Sequence, residues 1–146
     1  MQKQLEQVAE FHRSFNVPIQ NVFGAPDANT AALRIDLLEE EVNELSRAFV
    51  DRNEIEILDA LADILYIWAG TVHACGAGHL IDQVFDEVHR SNMSKLTKEG
   101  KVLLRHDGKI LKSDQYSPPD IWRIVSENDF NKNATIPEYM QIASPE

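Results

Sequence analysis

The sequence predicts an all-α protein: a four-helix bundle followed by a short hairpin and an extended C-terminal arm. Apolar residues recur at helical spacing over four stretches, and Gly, Pro or short polar segments separate these stretches. The 146 residues, 43% of them hydrophobic, suit one domain with a real core. We predict an all-α domain over residues 1–115 and, over residues 116–146, an extension that packs on the body or on a neighbouring subunit.

The helical pattern fixes the order of the elements. The predicted helices span Gln2 to Phe15, Ala31 to Val50, Ile55 to Ala74 and Leu80 to Ser94. The polar turn Asp51–Glu54 predicts that the second and third helices form an antiparallel hairpin. An Asp-Gly turn predicts a short β-hairpin over Lys101–Leu111. From Trp122 onward the periodicity is weak, which predicts an extended arm.

The second and third predicted helices carry much apolar surface. The second has one apolar stripe, which we expect to be buried: Ile35, Leu38, Val42, Leu45 and Phe49. The third is apolar nearly all round, which indicates a helix buried on most of its sides. Because this is more hydrophobic surface than one small bundle needs to bury, we expect a homodimer or a homotetramer.

Carboxylates occupy positions on these two helices where apolar residues are expected. Glu41 and Glu44 fall inside the apolar arc of the second helix, and Glu40 lies on its rim. On the third helix the acids recur along one stripe: Glu56, Asp59 and Asp63. A buried carboxylate is unfavourable unless a cation balances it, and oxygen ligands without His or Cys suit Mg²⁺ or Mn²⁺. The acids therefore predict a metal site; the alternative is an ordinary solvated face.

These acids also carry a resemblance. The run Glu40-Glu41-x-x-Glu44, followed by Glu56-x-x-Asp59 and by Asp63-Ile-Leu-Tyr, resembles the E-x-x-E … E-x-x-D signature of the all-α nucleoside triphosphate pyrophosphohydrolases. That superfamily includes the MazG-like enzymes and phosphoribosyl-ATP pyrophosphohydrolase. The later run from Glu87 to Leu96, E-V-H-R-S-N-M-S-K-L, is similar to the substrate-side segment of these two groups.

One position departs from the signature. Many members have Glu three residues before the Asp that corresponds to Asp63, whereas this chain has Ala60. The second acidic pair is therefore either Glu56 with Asp59 or Asp59 with Asp63.

The resemblance implies hydrolysis of a (d)NTP between the α- and β-phosphates, which yields a nucleoside monophosphate and pyrophosphate. It implies that carboxylates bind Mg²⁺ (or Mn²⁺): Glu41, Glu44, Glu56, Asp59 and Asp63. Glu40 or Glu41 would orient or deprotonate the attacking water. It also implies a set of substrate-binding residues: Arg90, Asn92, Lys95, Lys112 and Tyr116.

Two other functions stay open. One is phosphoribosyl-ATP pyrophosphohydrolase activity in histidine biosynthesis. The other is a non-catalytic protein that binds metal and nucleotide or serves as an assembly surface, which the departure at Ala60 keeps open.

Composition excludes other classes of function. The net charge of −10 argues against binding to nucleic acid polymers. No apolar run approaches the roughly 20 residues of a membrane span, and the N-terminus lacks a signal-peptide pattern. The single cysteine, Cys75, is compatible with a reducing compartment. We therefore expect a cytoplasmic protein that does not associate with membranes.

Overall fold

The computed structural model describes residues 1–128, and within them every regular element is a helix. The helices are α1 (Gln2–Ser14), α2 (Ala28–Asp51), α3 (Glu54–Ala74), α4 (Ile81–Met93) and α5 (Ile121–Asn128). The all-α prediction is confirmed. None of these helices combines the length and the apolar character that a membrane span requires.

Helix α5 corrects the prediction of an extended arm from Trp122 onward, at least for its first residues. Asp120 accepts a hydrogen bond from the Arg123 backbone N–H (3.0 Å), an interaction that stabilises the start of a helix. Arg123 and Glu127 form an ion pair one turn apart (3.0 Å), and Ile124 is buried. The short amphipathic pattern was too brief to detect by periodicity. The rest of the predicted arm, residues 129–146, lies outside the described residues.

The chain divides into two compact units. The first, Met1–Ile81, contains α1, α2 and α3, and the second begins at Asp82 and contains α4 and α5. The predicted boundary after residue 115 stays a prediction.

Within the first unit, α2 and α3 form the predicted helical hairpin. Arg52 ends α2 in the left-handed conformation (φ 53°), and the Asn53 side chain caps α3 by accepting hydrogen bonds from the N–H groups of Ile55 and Glu56. Helix α1 packs on the other half of α3 through a small core of Leu5, Val8, Ala69 and Val72.

The predicted burial of the apolar stripe on α2 is wrong for this chain by itself. Ile35, Val42 and Phe49 are 54%, 53% and 58% exposed, whereas the buried residues of α2 are Arg34 and Ala48. Helix α3 likewise exposes Ile55 and Leu58, and its buried residues are mostly small. The physical reason is that α3 is the main neighbour of α2, so one helix contact covers a narrow part of each surface. A broad apolar face remains open on this hairpin.

In the second unit, the predicted β-hairpin is reduced to a turn with one antiparallel bridge between Leu104 and Ile110. Gly108 takes a positive φ of 85° in the Asp-Gly turn, and Arg105 N–H donates to the Lys109 carbonyl (2.8 Å). The chain reverses where the sequence predicted, but the described residues contain no strand.

Candidate active site

The predicted acid stripes meet around Glu41, which is half-buried on α2. Burial raises the pKa of the Glu41 carboxyl above its ordinary value, and four neighbouring acids raise it further. Asp63 on α3 has the largest effect of the four, followed by Glu44, Glu40 and Asp59. Two helices therefore direct negative charge at one carboxylate, as the sequence predicted.

One oxygen of the Glu41 carboxylate also lacks a hydrogen-bond partner. Its Oε2 atom is buried and accepts no hydrogen bond, a condition that only three buried side-chain atoms share among residues 1–128. Buried polar atoms are nearly always hydrogen-bonded in folded proteins. An unpaired carboxylate oxygen that faces other carboxylates is a position at which a cation would remove both the charge repulsion and the missing contact.

Glu56, the first acid of the α3 stripe, lies near the turn between α2 and α3. It lines a cavity of about 360 Å³ beside the α2–α3 turn, together with Glu44, Arg47 and Asn53. It is not among the acids that raise the pKa of Glu41, whereas Asp59 and Asp63 are. The structure thus brings Asp59 and Asp63, rather than Glu56, towards the centre of the acid stripes.

Metal binding at these acids stays a prediction. In residues 1–128, no three His, Cys, Asp or Glu side chains converge closely enough to hold one metal ion. The donor set is nevertheless hard oxygen throughout, and the orphaned Glu41 oxygen fits a divalent cation.

Four of the predicted substrate-binding residues lie together in the second unit. Lys112 places its Nζ 4.1 Å from the centre of the Tyr116 ring. Lys95 donates a hydrogen bond to the Asn92 side-chain oxygen (2.7 Å). A hydrogen bond with buried Ser91 lowers the pKa of Tyr116 first, and the charges of Lys112 and Lys95 lower it further. This cluster, Asn92, Lys95, Lys112 and Tyr116, combines positive charge with an aromatic face.

Similarity to known proteins shows the family of this chain. Residues 8–92, more than half of the chain, match the family of phosphoribosyl-ATP pyrophosphohydrolase. The chain belongs to this family. The predicted resemblance to the MazG-like all-α pyrophosphohydrolase superfamily is confirmed.

A second comparison adds a relative of unknown function. Over 67 residues the chain is 48% identical to an uncharacterized protein of Acanthamoeba polyphaga mimivirus, a match that covers 43% of this chain and 27% of that protein. The chain thus spans about a quarter of the length of the curated relative it matches.

Arg90, the fifth predicted substrate-binding residue, already has hydrogen-bond partners within the second unit. Its guanidinium donates to both carboxylate oxygens of Glu87 (2.9 and 2.8 Å) and to the Pro118 carbonyl (2.9 Å). Glu87 also accepts from the Asp120 backbone N–H (2.8 Å). These interactions, Arg90 first, lower the pKa of Glu87 to about 2. Substrate binding by Arg90 stays a prediction, but its visible contacts join α4 to the segment before α5.

A second charged group with an atom that lacks a partner lies in the first unit and was not predicted from the sequence. Arg34 is buried on α2, and its Nε atom has no hydrogen-bond partner within residues 1–128. His12 on α1 is also buried, and its Nδ1 has no partner within residues 1–128. Gly70 leaves room for both: a Cβ there would lie 2.8 Å from Arg34 Nη1 and 3.2 Å from His12 Nε2. The available signal was spacing, because Arg34 precedes Glu41 by seven residues and shares its helix face.

Proposed function

We propose that this chain is a pyrophosphohydrolase that cleaves nucleoside triphosphates between the α- and β-phosphates, with Mg²⁺ or Mn²⁺ bound by the acids of α2 and α3. The observation that carries the proposal is the half-buried Glu41 carboxylate, which has one unpartnered oxygen and four acids around it. A site of this charge repels a triphosphate unless cations lie between them. The proposed reaction therefore requires a divalent ion.

The roles follow from the position of each acid. Glu41, Glu44, Asp59 and Asp63 are the proposed ligands, because the other three acids each raise the pKa of the Glu41 carboxyl. A divalent ion bound there would offset the phosphate charge and make a water more acidic. Glu40 is exposed beside Glu41, so it is free to orient that water or accept its proton. Glu56, which lines the cavity beside the α2–α3 turn with Glu44, is proposed to contribute less to metal binding than these four acids.

The cluster Asn92, Lys95, Lys112 and Tyr116 is proposed to bind the nucleotide. Its two ammonium groups suit a phosphate, and the Tyr116 ring offers an aromatic face for a base. Lys95 and Lys112 already contact neutral partners rather than carboxylates. An incoming phosphate would not have to displace an ion pair from these two lysines.

Phosphoribosyl-ATP is the second candidate substrate, because the matching family is described by that activity. It contains the same triphosphate and a further phosphate on the attached ribose. The acid stripes suit either substrate, since both present the same anhydride.

We further propose that a second copy of the chain covers the open face of the α2–α3 hairpin, giving a homodimer or homotetramer. Ile35, Val42 and Phe49 on α2 and Leu58 on α3 are all more than half exposed. Monomeric proteins rarely leave so many large apolar side chains on one surface. In a two-fold dimer the same face pairs with itself.

The test is product release from a panel of dNTPs, NTPs and phosphoribosyl-ATP with Mg²⁺ or Mn²⁺. We expect monophosphate and pyrophosphate from the native chain and none from Glu41→Gln. Glu39→Gln is the matched control, because Glu39 is an exposed acid on the same helix and does not perturb Glu41. If phosphoribosyl-ATP is the only compound hydrolysed, the nucleoside triphosphate proposal fails and the second candidate replaces it. If nothing is hydrolysed by folded protein, both fail.

A further inference from the structure

The first unit contains a cavity of about 330 Å³ that the acid site does not use. The loop after α1, the N-terminal half of α2 and Ala74 of α3 form its walls. Pro18, Ile19 and Leu33 make part of the lining apolar, and Arg34 is the one basic residue in it. We call this space the Arg34 cavity. Its volume falls at the lower end of the roughly 300–1,000 Å³ that is typical of small-ligand sites.

Arg34 is the unexplained element of this cavity. Its residue exposure is 9%, its Nε has no partner, and no carboxylate pairs with it within residues 1–128. Burial lowers the pKa of Arg34, but a guanidinium stays protonated at neutral pH. A buried cation without an anion is strongly unfavourable in a folded protein, so a chain that keeps one leaves a place for an anion.

The groups near Arg34 do not supply that anion. His12 is beside it, and burial and the Arg34 charge both lower the pKa of the His12 imidazole, which is therefore neutral at pH 7. Asp27 is the acid in the lining, but its carboxylate caps α2. It accepts from the N–H groups of Asn29 (3.0 Å) and Thr30 (3.1 Å) and from the Thr30 hydroxyl (2.6 Å). Asp27 is thus engaged with the helix rather than with the guanidinium.

We propose that the Arg34 cavity binds a phosphate monoester, with the guanidinium on the phosphate and the apolar wall against the attached organic group. The planar guanidinium matches two phosphate oxygens at once. The cavity is larger than a phosphate alone requires, so it has room for a sugar. Gly70 leaves room for the guanidinium itself, since a Cβ there would lie 2.8 Å from Arg34 Nη1.

The phosphate could come from three sources with the same chemistry. Arg34 lies seven residues before Glu41 on one face of α2, a separation of about 10 Å along the helix axis. One elongated substrate could therefore contact both residues, through its triphosphate or through the second phosphate of phosphoribosyl-ATP. To that extent the inference rests on the proposed function. A separate sugar phosphate that regulates the enzyme is the third source.

The first experiment measures binding without turnover. Ribose 5-phosphate is titrated calorimetrically into the full native chain, Arg34→Lys, Arg34→Met and Gly70→Ala, with ribose as the uncharged probe. We expect binding by the native chain, about ten-fold or more weaker binding by Arg34→Met, and intermediate binding by Arg34→Lys. Gly70→Ala should also bind more weakly, although it keeps the charge. Arg47→Met, which removes an exposed Arg from the same helix, should bind like the native chain.

Stability separates a ligand-binding Arg from a structural one. Without ligand, Arg34→Met should unfold at the same temperature as the native chain or higher, because it removes an uncompensated buried charge. With ribose 5-phosphate, the native melting temperature should rise and that of Arg34→Met should not. A variant that is unfolded or clearly less stable without ligand would overturn the proposal. So would equal binding by Arg34→Met and the native chain, or no binding by the native chain.

The second experiment identifies the source of the phosphate. A KM raised by Arg34→Met for phosphoribosyl-ATP alone assigns the cavity to the second phosphate of that substrate. A KM raised for every nucleotide assigns it to the triphosphate. If weaker ribose 5-phosphate binding leaves every KM unchanged, the cavity binds a separate ligand. If the native chain hydrolyses no nucleotide, the proposed function fails while the calorimetric result still decides the cavity.

Discussion

The two units treat buried polar groups in opposite ways. In the first unit, the side chains of His12, Arg34 and Glu41 each have a buried atom without a partner, and these are the only three such atoms in the described chain. In the second unit, the buried Glu87 carboxylate accepts three hydrogen bonds, two from Arg90 and one from a backbone N–H. The three buried groups of the first unit thus each keep an atom without a partner, whereas both oxygens of the Glu87 carboxylate accept hydrogen bonds.

This difference distinguishes residues that stabilise the fold from residues that we propose bind a ligand. A satisfied polar network stabilises one arrangement of the chain, whereas an unsatisfied buried group destabilises it. Proteins that keep such groups generally use them at functional sites. The comparison therefore predicts that substitutions in the first unit impair function without loss of stability, and that the Glu87 network behaves in the reverse way.

The largest expected effect is on turnover in the first unit. Asp63→Asn should lower kcat/KM by about 10³-fold or more, because it removes the acid that acts most strongly on Glu41 and a proposed metal ligand. Without divalent ions, its melting temperature should equal or exceed that of the native chain, since one repulsive charge is gone. Steady-state pyrophosphate release and thermal unfolding in chelator check the two expectations. If Asp63→Asn is inactive because it is unfolded, the expectation that this substitution impairs function without loss of stability is wrong.

The next effect concerns the open apolar face of the same unit. Val42→Asp combined with Phe49→Asp should convert the assembled protein to a monomer, because both side chains are more than half exposed on the single chain. Light scattering after size-exclusion chromatography measures the mass directly. Lys3→Asp, an exposed position on α1, is the control and should leave the mass unchanged. A native protein that is already monomeric would contradict the proposed assembly.

A smaller effect is expected at the paired network of the second unit. The pKa of Glu87 in the folded state is about 2, below its usual value of 4.5. Its carboxylate therefore stabilises the fold above pH 4.5, and this stabilisation is lost as the pH falls from 4.5 towards 2. Glu87→Gln should lower the melting temperature by several degrees at pH 7, with the difference shrinking over that window.

Thermal unfolding across that pH range tests this prediction. Glu99→Gln, an exposed acid of the same unit, is the control and should change little. A difference between Glu87→Gln and the native chain that persists unchanged at pH 2 would show that the carboxylate charge is not the cause.

The sequence predicted the helices and the acid stripes because both are local patterns. Helical periodicity and capping place Glu41 and Asp63 on the facing helices whatever else the chain does. Burial was harder to predict. Ile35 and Val42 looked like core residues, yet whether an apolar stripe is covered depends on which neighbours the chain brings to it. The unpaired state of Arg34 was not predictable at all, since a missing partner is a property of the assembled fold.

The partner of Asp59 in the second acidic pair could also not be predicted from the sequence. The substitution with the smallest expected effect, Glu56→Gln, tests which acid it is. Spacing alone left Glu56 and Asp63 equally good partners for Asp59, because both follow one stripe of α3. Of these three α3 acids, Asp59 and Asp63 raise the pKa of Glu41, whereas Glu56 borders the cavity at the α2–α3 turn. Glu56→Gln should therefore lower kcat/KM only a few-fold, and Asp59→Asn much more. The comparison is made at saturating Mg²⁺ and again over a Mg²⁺ titration, since loss of a ligand should raise the metal concentration needed for half-maximal rate. If Glu56→Gln is as inactive as Asp59→Asn, the acid stripe extends to the turn, and Glu44, which borders both places, would be the residue that joins them.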